Sequence, residues 1–316
     1  MKWLFTVTVA CWFTALSLAD EPEFIWKGHT ETVTCLSFSK DGALLASGSK
    51  DGTVRIWEVT TGKTRFVFDG HKDMATAAVF SPDGKMIATA SHDPTIRLWD
   101  AASGKEIGQL KGHEKDVRGL AFAPDGKCLA SASADHKLKL WNIAERTVIA
   151  TVAESDDALN CVLFSPDGKT LAFAGWDKTV RLLDVASRKV RALLVGHTAF
   201  VRDLAFLPDG KQLLSSGRDG TIRIWEPETA RAVAVLKGHD EVVRCLALTK
   251  DGKQVISASR EGVLILWDLV ARRPISKLDE GKLGFVAIAL SPDERLLATG
   301  GINGQIRFIR MANLLK

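Results

Sequence analysis

Tyrosine is absent from the 316 residues, and aromatic residues make up only 7% of the chain, so any aromatic ligand surface must come from a few identifiable positions. A dominant charge sign is also missing. Lys plus Arg number 42 against 38 Asp plus Glu, a net of +4 that is too mild to mark a nucleic-acid binder. Cysteine is sparse, and no Cys or His pair has zinc-ligand spacing. No Gly-rich loop opens a helix to cradle a phosphate, and helical periodicity is lacking throughout. What is present, 46% hydrophobic and 25% charged residues, suits a globular chain with a real core and excludes disorder or a collagen-like architecture.

The one long uncharged run is at the start. Lys2 precedes residues 4 to 19, LFTVTVACWFTALSLA, and Ser17 and Ala19 place small side chains before Asp20. This reads as an export signal over 1–19 with cleavage after Ala19, leaving a periplasmic or secreted chain with no membrane span. The alternative is an uncleaved anchor, for which the run is shorter than the ~20 residues that cross a bilayer core. Cleavage leaves Cys35, Cys128, Cys161 and Cys245. An even count in an exported chain admits disulfides, but Cys35, Cys161 and Cys245 share one repeat position in units that are not consecutive, which favours buried thiols.

The rest of the chain, 20–316, repeats. Gly-His pairs stand at 28, 70, 112, 196 and 238, every step a multiple of 42 residues, and Trp57, Trp99, Trp141, Trp225 and Trp267 keep the same step. A turn signal, SKDG at 39 through SPDE at 291, recurs at the same period in all seven units. Within one unit VTCLSFS, ALLASGS, TVRIWEV and TRFVFDG are apolar or β-branched runs of strand length, separated by turns rich in Asp and Gly. Four short strands per unit, a Gly-His and a Trp near the end of the third strand resemble the WD-repeat family. The resemblance covers the whole of 20–316 and implies an all-β fold, a seven-bladed β-propeller of four-stranded antiparallel blades. Residues 23 to 27 precede Gly28 as a fourth strand with no blade of its own. That strand is expected to complete blade seven and close the ring.

The same resemblance implies a hydrogen-bonded network in each blade, from a His, a second-strand Ser or Thr, a turn Asp and a third-strand Trp. The members are His29, Ser47, Asp51 and Trp57 in blade one, and His71, Thr89, Asp93 and Trp99 in blade two. Blade three offers His113, Ser131, Asp135 and Trp141; blade five offers His197, Ser215, Asp219 and Trp225. Blade six has His239, Ser257, Glu261 and Trp267, with Glu in place of Asp. Blades four and seven depart, keeping Asp177 and Asn303 but placing Phe173, Leu183 and Ile309 where polar members belong, so apolar packing is expected to substitute there.

Function follows from what is left over. The repeated carboxylates read as turn and network residues, and Asp203, near the axis, reads as bonded to backbone or Arg before it reads as an ion ligand. The chain is therefore read as noncatalytic, with no cofactor and no metal. By the resemblance, residues three and five after each His, and the residue before each turn Asp, gather on the narrow face. Those positions include Lys50, His92, Arg118, Trp176, Phe200, Arg202, Arg218, Arg244 and Arg260. Guanidinium groups beside exposed aromatics suit oxyanions, because Arg donates two parallel hydrogen bonds. The expected partner is an acidic protein or peptide, or an anionic polymer, and not nucleic acid. Alternatives from other classes are a propeller enzyme using an axial metal ion and a structural envelope component without a defined ligand.

Overall fold

The computed structural model describes residues 24–152, 155–281 and 284–315. The export signal assigned to 1–19 lies outside the described residues. Each repeat folds as one four-stranded antiparallel sheet, and in blade one the strands are Val33–Phe38, Leu44–Ser49, Val54–Glu58 and Thr64–Phe68. The turns between them need backbone that only glycine adopts freely, with Gly42 at φ +72° and Gly52 at φ +83°. At the first turn Ser39 Oγ donates to Asp41 Oδ1 at 2.6 Å, and Asp41 accepts the Ala43 amide at 3.0 Å.

One strand is out of chain order. Ile25–Trp26 pairs antiparallel with Ile306–Arg310, so the first described strand completes the last blade and closes a seven-bladed propeller. Trp26 is buried and stacks on Trp57 at 5.5 Å and against Phe308 at 4.3 Å, which ties blade seven to blade one as well as to its own sheet. Met311–Leu314 is a single helical turn. Among the described residues no helix is long and apolar enough to cross a membrane.

The core is divided among the interfaces. Seven apolar clusters each join one blade to the next, such as Ala46, Ile56 and Phe68 of blade one against Ala78, Ile87 and Trp99 of blade two. The four cysteines of the described residues are free thiols, Cys161 and Cys245 buried, and loss of solvation raises Cys35 to about 11 and Cys245 to about 12.

A second regularity sets up the axis. In every blade the innermost strand slips register against its neighbour by one residue at the same place, in blade one between Val33 and Cys35. The bulged residues are Thr34, Thr76, Arg118, Asn160, Arg202, Arg244 and Val286. A bulge re-aims its side chain, and here all seven lie round one funnel on the propeller axis.

Closure through a two-residue strand makes Trp26 the most exposed point of failure. Trp26→Ala should lower the unfolding free energy by about 3–5 kcal/mol, the usual loss for a buried Trp truncated to Ala. Denaturant titration checks it, and an unchanged midpoint would refute closure as a source of stability.

Candidate functional site

Each polar network is a relay with one direction. In blade one the Trp57 Nε1–H donates to Ser47 Oγ at 2.7 Å, Ser47 Oγ lies 2.8 Å from His29 Nε2, and His29 Nδ1 lies 3.0 Å from Asp51 Oδ2. A carboxylate only accepts, so His29 carries its proton on Nδ1 and Nε2 receives the Ser47 hydroxyl. Equivalent bonds join His71, Thr89, Asp93 and Trp99, then His113, Ser131, Asp135 and Trp141, and then His197, Ser215, Asp219 and Trp225. The glycine before each His leaves room for the relay: a Cβ on Gly28 would stand 2.8 Å from the Trp57 ring.

Blade six bends the rule. His239 Nε2 lies 2.7 Å from Ser257 Oγ and Trp267 donates to the same oxygen, but Glu261 stands 3.5 Å from His239 Nδ1, which has no hydrogen-bond partner. The extra methylene of Glu carries the carboxylate off line.

Blades four and seven correct the expectation that apolar packing alone replaces the relay. Phe173 and Leu183 are fully buried as expected, yet Asp177 remains and pairs with Arg181 at 2.6 Å, both side chains under 10% exposed, while Ser155 Oγ bonds the same carboxylate at 3.0 Å. A serine in place of histidine vacates the ring's position, and the guanidinium takes it. In blade seven Arg307 pairs with Glu280, where blades one, two, three, five and six carry glycine.

The titrations follow. Burial lowers His29, His71 and His239 despite their carboxylate partners, so these rings stay neutral in the fold. Burial works against ionised Asp51 and Asp93 too, but hydrogen bonds from Thr53 and Thr95, and from nearby amides, outweigh it and bring both to about 2. Asp203 is the opposite case. Its Oδ1 accepts the Leu204 amide and its Oδ2 the Leu246 amide of the next blade, each at 2.8 Å, and loss of solvation still raises it to about 6. Both oxygens are occupied, Oδ1 within blade five and Oδ2 in the bond that joins blades five and six.

The funnel measures about 520 Å³, and seven of the nine residues assigned to partner binding line it, all but Phe200 and Arg218. Those two stand beside it in a column. Arg118 lies 4.8 Å over the Trp176 ring, Trp176 stacks on Phe200 at 4.9 Å and 5°, and Arg218 lies 5.5 Å over Phe200. The ring faces are thus covered by each other and by the two guanidiniums, so the aromatics brace arginines and present only their edges. Asn160 fastens the column, its Oδ1 accepting from Trp176 Nε1 at 3.1 Å and Arg118 Nη1 at 3.3 Å. Arg118 also lies 3.5 Å from Asp116, which stands 3.9 Å from His92. Lys50 is exposed at the rim.

The bulge positions differ in what they hold. Thr34, Thr76 and Asn160 each bond a backbone carbonyl of the next blade, those of Ala75, Val117 and Val201, and Arg118 bonds Asn160. Among the described residues, Arg202, Arg244 and Arg260 make no ion pair and no side-chain hydrogen bond. Arg202 and Arg244 are half-buried neighbours. Burial, then the nearby Arg244, lowers the pKa of Arg202; burial and Arg260 lower that of Arg244.

Two outcomes test this account. The neutral histidines bind protons more readily once unfolded, so their contribution is full above about pH 6.5 and is lost as pH falls below it; Asp203 acts oppositely between about pH 6 and about pH 4. Asp203→Asn should therefore lose stability more steeply than the parent between about pH 7 and about pH 5, and parallel profiles would count against the assignment. Arg181→Leu, which strands Asp177, should cost about 3–5 kcal/mol, and adding Asp177→Leu should restore much of it in thermal melts.

The comparisons with known proteins agree with this geometry. The family model described as WD domain, G-beta repeat matches residues 20–58, 62–100, 104–142, 146–184, 188–226, 230–268 and 273–310. Among curated proteins, the chain is 56% identical over 39 residues to the serine-threonine kinase receptor-associated protein of Gallus gallus, 12% of this chain and 11% of that one. It is 59% identical over 39 residues to ribosome biogenesis protein ERB1 of Debaryomyces hansenii, 12% of this chain and 5% of that protein. WD repeat-containing protein 18 of Danio rerio is 55% identical over 40 residues, 13% of this chain and 9% of that protein. The matched stretch thus spans about one repeat, and between 5% and 11% of those relatives' length.

Proposed function

The chain belongs to the WD40 repeat family, and from that membership we propose that it is a noncatalytic interaction scaffold that docks an acidic protein or peptide segment on the narrow face, at the funnel mouth. The observation that carries the reading is the unpaired set Arg202, Arg244 and Arg260 on adjacent blades. Arg202 and Arg244 are half-buried guanidiniums held without a partner at an electrostatic cost, which an incoming carboxylate removes through paired donors, and exposed Arg260 adds its charge beside them. Arg118 and Arg218 belong to the reading in a different way. Their rings and Asn160 fix them, and Asp116 already offsets part of the Arg118 charge, so the free positive charge concentrates on blades five and six. An axial-ion enzyme finds less to favour it, since the two oxygens of Asp203 are occupied by amides. The proposed location, periplasmic or secreted, rests on the uncharged run before Asp20.

The test reverses charge without touching the column. Arg202→Glu, Arg244→Glu and Arg260→Glu together should abolish retention on immobilised poly-glutamate that the parent shows at low salt, with an unchanged far-UV spectrum. Retention of the folded variant would sink the proposal. Retention of the parent should itself weaken with salt, because exposed charge is screened over ~10 Å at 0.1 M.

A further inference from the structure

The funnel has two unlike halves. Blades three to six give it Arg118, Asn160, Trp176, Arg202, Arg244 and Arg260. Blades seven, one and two give it Met74, Val286 and Ile302 together with three threonines. Those threonines are polar in name only toward the cavity: Thr32 donates to Ile302 O at 3.2 Å, Thr34 to Ala75 O at 2.5 Å and Thr76 to Val117 O at 2.5 Å. With each hydroxyl spent on backbone, the side chains have methyl groups left to offer. Ile302 is 55% exposed, among the largest exposures of an apolar residue in the protein. Lys50 and His92 are the exceptions on this side, Lys50 out in solvent and His92 turned to within 3.9 Å of Asp116.

A polyacid would satisfy one half of such a cavity and leave the other wet. A purely apolar segment would leave two guanidiniums desolvated and unpaired, which is worse than no binding. The occupant that satisfies both carries acid and hydrocarbon within a few residues. We propose that the funnel recognises a peptide segment in which a carboxylate adjoins an apolar side chain, the carboxylate meeting Arg202 and Arg244 and the apolar group meeting Met74, Val286 and Ile302. The proposal rests on the acidic-docking reading and narrows it from charge to sequence. A peptide, rather than a small amphiphile, follows from the charges at the rim: Arg260 and Lys50 are exposed residues of the funnel lining and Arg218 is exposed beside it, so a ligand that continues past the mouth can meet all three.

Fluorescence anisotropy with three labelled peptides of equal length tests it: one of Glu and Leu, one of Glu and Ser with the same charge, and one of Leu and Ser. The Glu–Leu peptide should bind about tenfold or more tighter than Glu–Ser, the gain expected from sheltering one apolar side chain, and Leu–Ser should not bind. Met74→Ser with Ile302→Ser should bring Glu–Leu down to the Glu–Ser level and leave Glu–Ser unchanged. Arg244→Gln should weaken both. Equal affinity for the two acidic peptides overturns the inference while leaving acidic docking intact; binding of neither acidic peptide overturns both; tight binding of Leu–Ser, or an unaltered preference in the Met74 and Ile302 variant, overturns the inference alone.

Discussion

The slip of one residue in every innermost strand is the constraint on which the site depends. A regular strand would turn alternate side chains into the two interfaces between neighbouring blades, and the axis would be lined only by backbone and small groups. The bulge releases one residue per blade from that alternation and sends it to the axis mouth. Because the slip recurs at the same place in seven blades, seven side chains meet there without any long loop. What they are is then free to vary, since the ladder holds on both sides of the bulge.

The rigidity behind that mouth comes from the buried relays. Trp, Ser, His and Asp are joined in one direction, and the turn Asp also receives an amide from the residue after the His, as Thr30 donates to Asp51 at 3.0 Å. Third strand, second strand and the loop before the first strand are fixed to one another in a single chain of bonds. Blades four and seven reach the same end with a different charge pattern, an arginine against an acid. The substitution is physically economical because the arginine position is already occupied in neighbouring units: Arg55, Arg97 and Arg223 lie close to the glycines before His29, His71 and His197. In blade four, where the imidazole is gone, the same side chain pairs with the retained Asp177, and in blade seven it pairs with Glu280.

Most of the fold was legible because its markers are independent and share one period. The Gly-His pairs, the third-strand Trp and the Asp-Gly turns each needed a different physical reason, so their agreement fixed blade number, strand order and the closing strand. The site was less legible. Residues at the mouth could be placed by the repeat, but whether each is bound or free depends on neighbours one blade away, 41 or 42 residues along the chain. Trp176 reads in the sequence as a contact residue, and it does line the funnel; that its ring faces lie against Arg118 and Phe200, from blades three and five, is not legible there. Arg181 gave no signal at all, since its meaning changes only when Ser155 replaces a ring. The sequence trace of the pair lies in its partner: Asp177 is an acid kept in a unit without the His, Ser and Trp, which calls for a cation on the same blade.

What separates Arg202 and Arg244 from the rest of the mouth is therefore a comparison made inside one molecule. Thr34, Thr76 and Asn160 show that the bulge position has an inexpensive solution, a short polar side chain that bonds the next blade's carbonyl and improves the interface it spans. Two adjacent arginines forgo that bond and bury part of their length, and burial together with a neighbouring guanidinium, Arg244 beside Arg202 and Arg260 beside Arg244, lowers the proton affinity of each. Nothing in blade pairing or closure requires this, because blades one, two and four close without it. Folding stability would be served better by a threonine at either position. The cost is explained if the arginines act toward something outside the chain, where an anion supplies the acceptors that the ring leaves out.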